Sequence, residues 1–154
     1  MTSSPTTRDR ERAERSTVPT QDELASVLSH RKTMLLTTFK SNGTPVATPV
    51  SVAVDGKKIY FRTYTKTWKY KRLRRNPLVE VTPSTFGGTP RGPTLAARAR
   101  LLGGNDAEAA RQTLARRHPL LQGLLVPLLH RLLGYTTVHY EITPREDLSA
   151  SRTV

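Results

Sequence analysis

Cysteine is absent from this 154-residue chain, and with it go disulfides, thiol catalysis and any cysteine-based zinc site. Acids are scarce: 12 Asp and Glu stand against 25 Lys and Arg, a formal net charge of +13. Such an imbalance attracts something acidic, whether nucleic acid, an anionic membrane or a small phosphorylated ligand, and charge alone does not choose among them. Long hydrophobic runs are missing as well. The opening stretch MTSSPTTRDRERAERSTVP has no apolar core of the kind a secretory signal needs, so the expected location is the cytoplasm. The most apolar stretch, PLLQGLLVPLLHRLLG at 119–134, is 16 residues long and contains Pro127, His130 and Arg131. It is too short and too polar to cross a bilayer. Its leucine pairs from Leu120 to Leu133 read as a core or dimer-contact stripe, with a membrane-surface helix as the alternative.

Catalytic patterns are sparse too. His30, His118, His130 and His139 show no metal-ligand spacing. There is no nucleophile elbow, and GGTPRG lacks the lysine and hydroxyl of a nucleotide-phosphate loop. No metal site is expected and no catalytic side chain can be named. An enzyme of this composition would rely on a cofactor for its chemistry.

What is present fits one domain. Residues 1–18 read as a disordered polar tail, because so polar a segment buries too little apolar surface to order itself. Asp9, Glu11 and Glu14 dilute it as a basic arm. The folded domain is expected over 19–144, followed by a polar tail at 145–154. Within it, a short helix at 20–29 is capped by Thr20. Strands follow at 33–40 and 44–54, then a hairpin at Asp55-Gly56 into a strand at 57–64. If Asp55 and Gly56 are the two loop residues, Val52 faces Ile59, Val50 faces Phe61, and Thr48 faces Thr63 at the end of one apolar face. A basic helix over 67–76 is stopped by Asn76-Pro77. Strands are expected at 78–82, 94–102 and 135–142, with a helix at 105–118 capped by Asn105 or Asp106. Six short strands with few helices indicate a mainly β chain, a small barrel with peripheral helices.

The basic helix poses the functional question. Lys66, Lys69, Lys71, Arg72, Arg74 and Arg75 fall within ten residues, with no acid among them, although a helix N-terminus already carries positive charge. A solvated basic face is one reading. Nucleic-acid binding is another, since Trp68 and Tyr70 interleave with the cations, but no recognised nucleic-acid module surrounds them. A phosphate site is the third: Thr67 as cap, free N–H groups of the first turn, and Lys69 and Arg72 on one face.

The succession LLTTFKSNGTPVATPVSVAVDGKKIYFRTYTKTWKYKRLRRNPLVEVTP resembles the split-β-barrel flavin and deazaflavin oxidoreductases related to pyridoxamine 5'-phosphate oxidase. G-x-P-x-x-T-P-V, the DG hairpin, YFRT and K-x-K-R-L-R-R-N-P, in that order, are similar to the actinobacterial branch associated with coenzyme F420. RGP at 91–93 and PLLHRL before the last strand extend the likeness over roughly residues 22–143. No one motif is specific; their order and spacing are. The resemblance implies a homodimeric, FMN-binding-like split barrel with cofactor in a groove at the dimer interface. It implies that Thr67 and Lys69 hold cofactor phosphate with Arg72 close by, and that Thr63 lies beneath the phosphate or ribityl region. Thr48, Pro49, Val50 and Ser51 would line the ring system, partly through backbone. Trp68 and Tyr70 stand where smaller residues are usual, which implies a narrower or shielded pocket, and RGP weakens the case for riboflavin phosphate. The expected function is hydride transfer between F420 and a small organic substrate. The alternatives are the same fold using FMN, or a non-catalytic module binding a cofactor or nucleic acid.

Overall fold

In a computed structural model, residues 6–7, 18–118 and 136–145 are described. The elements are α1 (Gln21–Leu28), β1 (Thr33–Phe39), β2 (Pro45–Asp55), β3 (Lys58–Tyr64), α2 (Trp68–Arg75), β4 (Leu78–Ser84), β5 (Leu95–Leu101), α3 (Gly104–Arg117) and β6 (Thr137–Thr143). The six strands close into an antiparallel barrel in the order β1-β2-β3-β6-β5-β4. The expected leucine-stripe helix at 119–134, most of the 1–18 tail and the tail beyond Arg145 lie outside the described residues.

Alternation fills the barrel. Met34 and Leu36, Val50 and Val52, Ile59 and Phe61, Val79 and Val81, Ala97 and Ala99, and Tyr140 and Ile142 all enter one buried cluster, one inward pair from each strand. Phe61 and Tyr140 stack with ring centroids 5.0 Å apart. A second cluster joins Ala53 and Tyr60, which face outward, to Leu102, Ala110 and Leu114 beneath α3.

Capping follows the sequence at two helices and departs from it at a third. Thr20 caps α1 by accepting from the Glu23 N–H at 3.2 Å. Thr67 caps α2 in the same way, accepting from the Tyr70 N–H at 3.2 Å. The cap of α3 is Gly103, with no side-chain hydrogen bond, in place of Asn105 or Asp106. Gly103 and Gly104 (φ +54°) turn the chain off β5 at once, so Asn105 and Asp106 fall inside the first helical turn.

The hairpin corrects the expected register by two residues. Asp55 pairs with Lys58, and Gly56 and Lys57 form the loop. Gly56 has φ +62°, while no non-glycine residue among those described has positive φ. A loop with positive φ only at its first position is a type II′ turn, which wants glycine there; Asp-Gly as the central pair would need positive φ at aspartate as well. Because the shift is even, the same residues still face inward. Thr48 and Thr63 are no longer opposite, however. The β2–β3 ladder ends at Val52–Phe61.

Candidate functional site

Beyond Val52 and Phe61 the two strands part. The first half of β2, Pro45 to Ser51, continues in register with β1, whereas Arg62, Thr63 and Tyr64 continue in register with β6. Between these halves the barrel wall is open among the described residues. The Val52 N–H bonds the Lys32 carbonyl at 3.0 Å, so the alternating ladder directs the backbone groups of Pro45, Ala47, Pro49 and Ser51 away from β1, toward the opening. Two of those four residues are prolines, which have no N–H to pair. That is how a strand tolerates proline in its interior, and why this edge cannot ladder fully with β3.

Hydroxyls ring the inner mouth of the opening. Thr38, Thr48 and Thr63 continue the inward faces of β1, β2 and β3 at the end where α2 packs. Thr48 Oγ1 is shielded from solvent and has no hydrogen-bond partner among the described residues. Thr63 Oγ1 lies 3.1 Å from Thr67 Oγ1. The Thr67 hydroxyl donates its one proton to the Tyr64 carbonyl at 2.8 Å, which makes Thr63 the donor to Thr67. With Tyr70 N–H also bonded to it, the Thr67 oxygen is fully used within the protein. It shapes the helix terminus, and the groups left for a ligand there are backbone N–H groups.

The basic segment is bound to this mouth. Leu73 is buried, and Tyr70 packs against the main core, so α2 lies with Lys69 and Arg72 partly under cover. The Arg72 Nε–H donates to Thr38 Oγ1 at 2.7 Å, tying α2 to β1. Burial, and next the Arg72 charge, push the Lys69 ammonium below its usual pKa. No carboxylate pairs with Lys69 among the described residues. The other cations differ. Lys71 lies 4.5 Å above the Trp68 ring, Arg74 lies 5.8 Å from the Tyr70 ring, and Trp68 is 72% exposed. These are solvated cation–π pairs on the outer face.

The sequence-derived residues therefore divide. Thr63, Thr67, Lys69 and Arg72 meet at the start of α2. Thr48 and Val50 point into the barrel, while Pro49 and Ser51 present backbone to the opening and side chains to the outside. Thr38 was missed, although the alternation Met34, Leu36, Thr38 carries the signal. Two further residues escaped the sequence reading. Arg62 and His139 oppose one another on the outer face of the β3–β6 seam. Two open clefts, of about 460 Å³ beside Asp55 and Arg116 and about 430 Å³ beside Asp22 and Leu95, lie away from this mouth.

The two buried histidines are not in the mouth. The His118 Nε2–H donates to the Val52 carbonyl at 3.0 Å. Burial first, with nearby cations including Arg62 adding to it, lowers the pKa of both His118 and His139. An unfolded histidine takes up its proton near pH 6.5, before either folded one does. Their contribution to stability is therefore complete above about pH 6.5 and is lost as pH falls below that value. Thermal midpoints should fall between about pH 7.5 and pH 5 at constant salt, and His139→Gln should flatten part of that slope.

A family model described as pyridoxamine 5'-phosphate oxidase matches residues 20–122. A closed, antiparallel, mainly β barrel with peripheral helices and an opening in its wall is a split barrel of that class. The chain belongs to the pyridoxamine 5'-phosphate oxidase family. Solved structures of similar fold include a putative pyridoxamine 5'-phosphate oxidase from Listeria innocua (20% identity, 82% of this chain and 94% of that one, TM-score 0.57). A conserved hypothetical protein from Mycobacterium tuberculosis is similar at 24% identity over 84% of this chain and 83% of that one, TM-score 0.57. A heme storage protein from Vibrio cholerae is similar at 16% identity over 90% and 91%, TM-score 0.56. No curated protein matches significantly. No helix among the described residues is long and apolar enough to cross a membrane.

Proposed function

We propose that the opening beside α2 binds coenzyme F420 and that the protein is an oxidoreductase passing hydride between this deazaflavin and a small organic substrate. The observation that carries the reading is Lys69, a partly desolvated cation without a carboxylate partner among the described residues, at the first turn of a capped helix. Holding it there costs free energy that a bound phosphate would repay. The orphaned Thr48 hydroxyl at the same mouth fits a polar ligand atom. When bound, the deazaflavin ring supplies the hydride chemistry. The chain's own part is to fix the phosphate with Lys69 and the α2 N–H groups, to offer Pro49 and Ser51 backbone along the opening, and to keep water from the inner face with Val50.

F420 is favoured over FMN by the surplus of charge. Lys71, Arg74 and Arg75 exceed what one phosphate uses, and they sit on or beside the exposed face of α2, where a polyanionic glutamyl tail would meet them. Nucleic acid would meet the same face but leave the half-covered Lys69 unexplained. Heme, which the Vibrio cholerae relative stores according to its description, finds no histidine at the opening among the described residues. His118 and His139 are on the outer wall.

We also read the protein as a cytoplasmic homodimer whose second subunit completes the groove. Phe86 is 85% exposed, on a loop where a side chain at Gly88 would meet Leu35 and Pro49. That loop carries an exposed apolar side chain on the same side of the barrel as Pro49, a surface a second subunit would cover. Titration with F420 and with FMN, followed by cofactor fluorescence at low and moderate salt, tests the assignment. Tighter, salt-sensitive binding of F420 is expected, with light scattering reporting a dimer that F420 tightens. Equal or better FMN affinity at moderate salt overturns the cofactor choice. A monomer that binds F420 stoichiometrically overturns the shared groove.

A further inference from the structure

The outer wall of the barrel holds a half-buried positive charge that the cofactor reading does not use. Arg62 on β3 and His139 on β6 are direct partners across the ladder. Both point outward, since Phe61, Thr63 and Tyr140 take the inward positions. Opposed side chains on one face have Cβ atoms about 4.5–5.5 Å apart. Arg62 Nη1 and His139 Nε2 are each shut off from solvent with no hydrogen-bond partner among the described residues, and His139 is only 9% exposed. Two orphaned polar atoms on facing side chains are one coincidence, and the surrounding charges supply another.

Arg62 has a hydrogen bond with Tyr64 while its Nη1 stays unpaired, and a guanidinium can only donate. The charges that reach His139 are Arg62, Arg111 and Glu108. Glu108 already grips Arg111 through both carboxylate oxygens. On the other side, His118 feels Arg62, Lys32 and Arg117. No free carboxylate balances this group among the described residues. Burying guanidinium N–H groups without an acceptor is costly, and a single acceptor between the two side chains satisfies both Nη1 and the imidazole.

We propose that Arg62 and His139 form a binding site for a small anion, a carboxylate or an inorganic phosphate. The anion accepts one hydrogen bond from Arg62 Nη1 and one from the His139 Nε2–H. The site lies on the outer face of β3, one residue from Thr63 and on the opposite side of the sheet, so it is separate from the phosphate cradle at α2. It stands whether or not F420 binds there.

The imidazole ¹⁵N–¹H spectrum of full-length protein reads the site directly. Sodium phosphate and sodium acetate would each be titrated against a bulky sulfonate background that holds ionic strength constant. At least one of them should give a saturable shift of His139 Nε2 at millimolar concentration, at least tenfold weaker in Arg62→Met. If Arg62→Met does not fold, Arg62→Lys gives the comparison: it keeps the charge but loses the planar fork, and should bind at least threefold more weakly. Absence of a saturable shift up to about 100 mM of either anion, or unchanged affinity in the foldable Arg62 variant, overturns the site.

Discussion

Lys69→Ala is expected to weaken F420 binding by about 1–3 kcal/mol, roughly 5- to 150-fold, the scale of losing a charge-assisted contact to phosphate. The same substitution should leave the apoprotein at least as stable as before. In the free protein Lys69 is a partly buried cation held below its usual pKa by burial and by Arg72. Removing it relieves a cost that only a bound anion offsets. The sign can be checked by pH. A lysine whose folded pKa is depressed disfavours the folded state once protonated, so it contributes no acid-side stabilisation that alanine would forfeit. A structural lysine would behave the other way, with its loss lowering the unfolding midpoint. Binding to a random DNA duplex should hardly change, because the protein keeps a large positive charge. Isothermal titration with cofactor, duplex titration and thermal unfolding of the same variant separate these outcomes. Lost nucleic-acid binding with unchanged cofactor affinity would reverse the functional assignment.

The largest effect on stability is expected at Phe61. Its ring is fully buried, stacks on Tyr140 at 5.0 Å with an interplanar angle of 6°, and comes from the last residue pair before β2 and β3 separate. Phe61→Ala removes that burial and leaves a cavity that a closed barrel cannot collapse, a loss of about 3–5 kcal/mol. A domain of this size has about 5–15 kcal/mol in all. Urea unfolding should therefore show a midpoint shift of a large fraction of the whole, or no folded baseline. Phe61→Leu, which keeps most of the volume, should lose much less. A loss below about 1 kcal/mol for Phe61→Ala would mean that the barrel interior is not packed around this ring.

Alternation and turn chemistry made most of the barrel legible from sequence. Each strand offers a period-2 pair of apolar residues, and most boundaries carry Gly, Pro or Asn, so the six strands and the inward faces of β2, β3 and β6 could be read directly. What escaped depended on geometry that a sequence pattern states ambiguously. Asp55-Gly56 marks a tight hairpin whether glycine takes the first or the second loop position, and only the backbone angle decides. Choosing the other position moved Thr48 two residues away from Thr63. The Thr67 hydroxyl was legible as a cap but not as one already saturated by Tyr64, Tyr70 and Thr63. The cation count of α2 was visible, whereas the difference between half-covered Lys69 and the stacked, solvated Lys71 and Arg74 required the packing of Tyr70 and Leu73. Arg62 and His139 gave no sequence signal, because their meeting depends on the long-range pairing of β3 with β6.

Backbone amide shifts on addition of F420 test most directly where the cofactor goes. In a ¹⁵N-labelled sample, saturable changes are expected at Ala47, Ser51, Thr63 and the first turn of α2 from Trp68 to Lys71. The cluster beneath α3, including Ala110 and Leu114, should be unmoved. Binding with its largest changes at α3 or along α1, or binding that leaves the β2 edge and the start of α2 unchanged, would contradict the placement of the cofactor in the opening of the barrel.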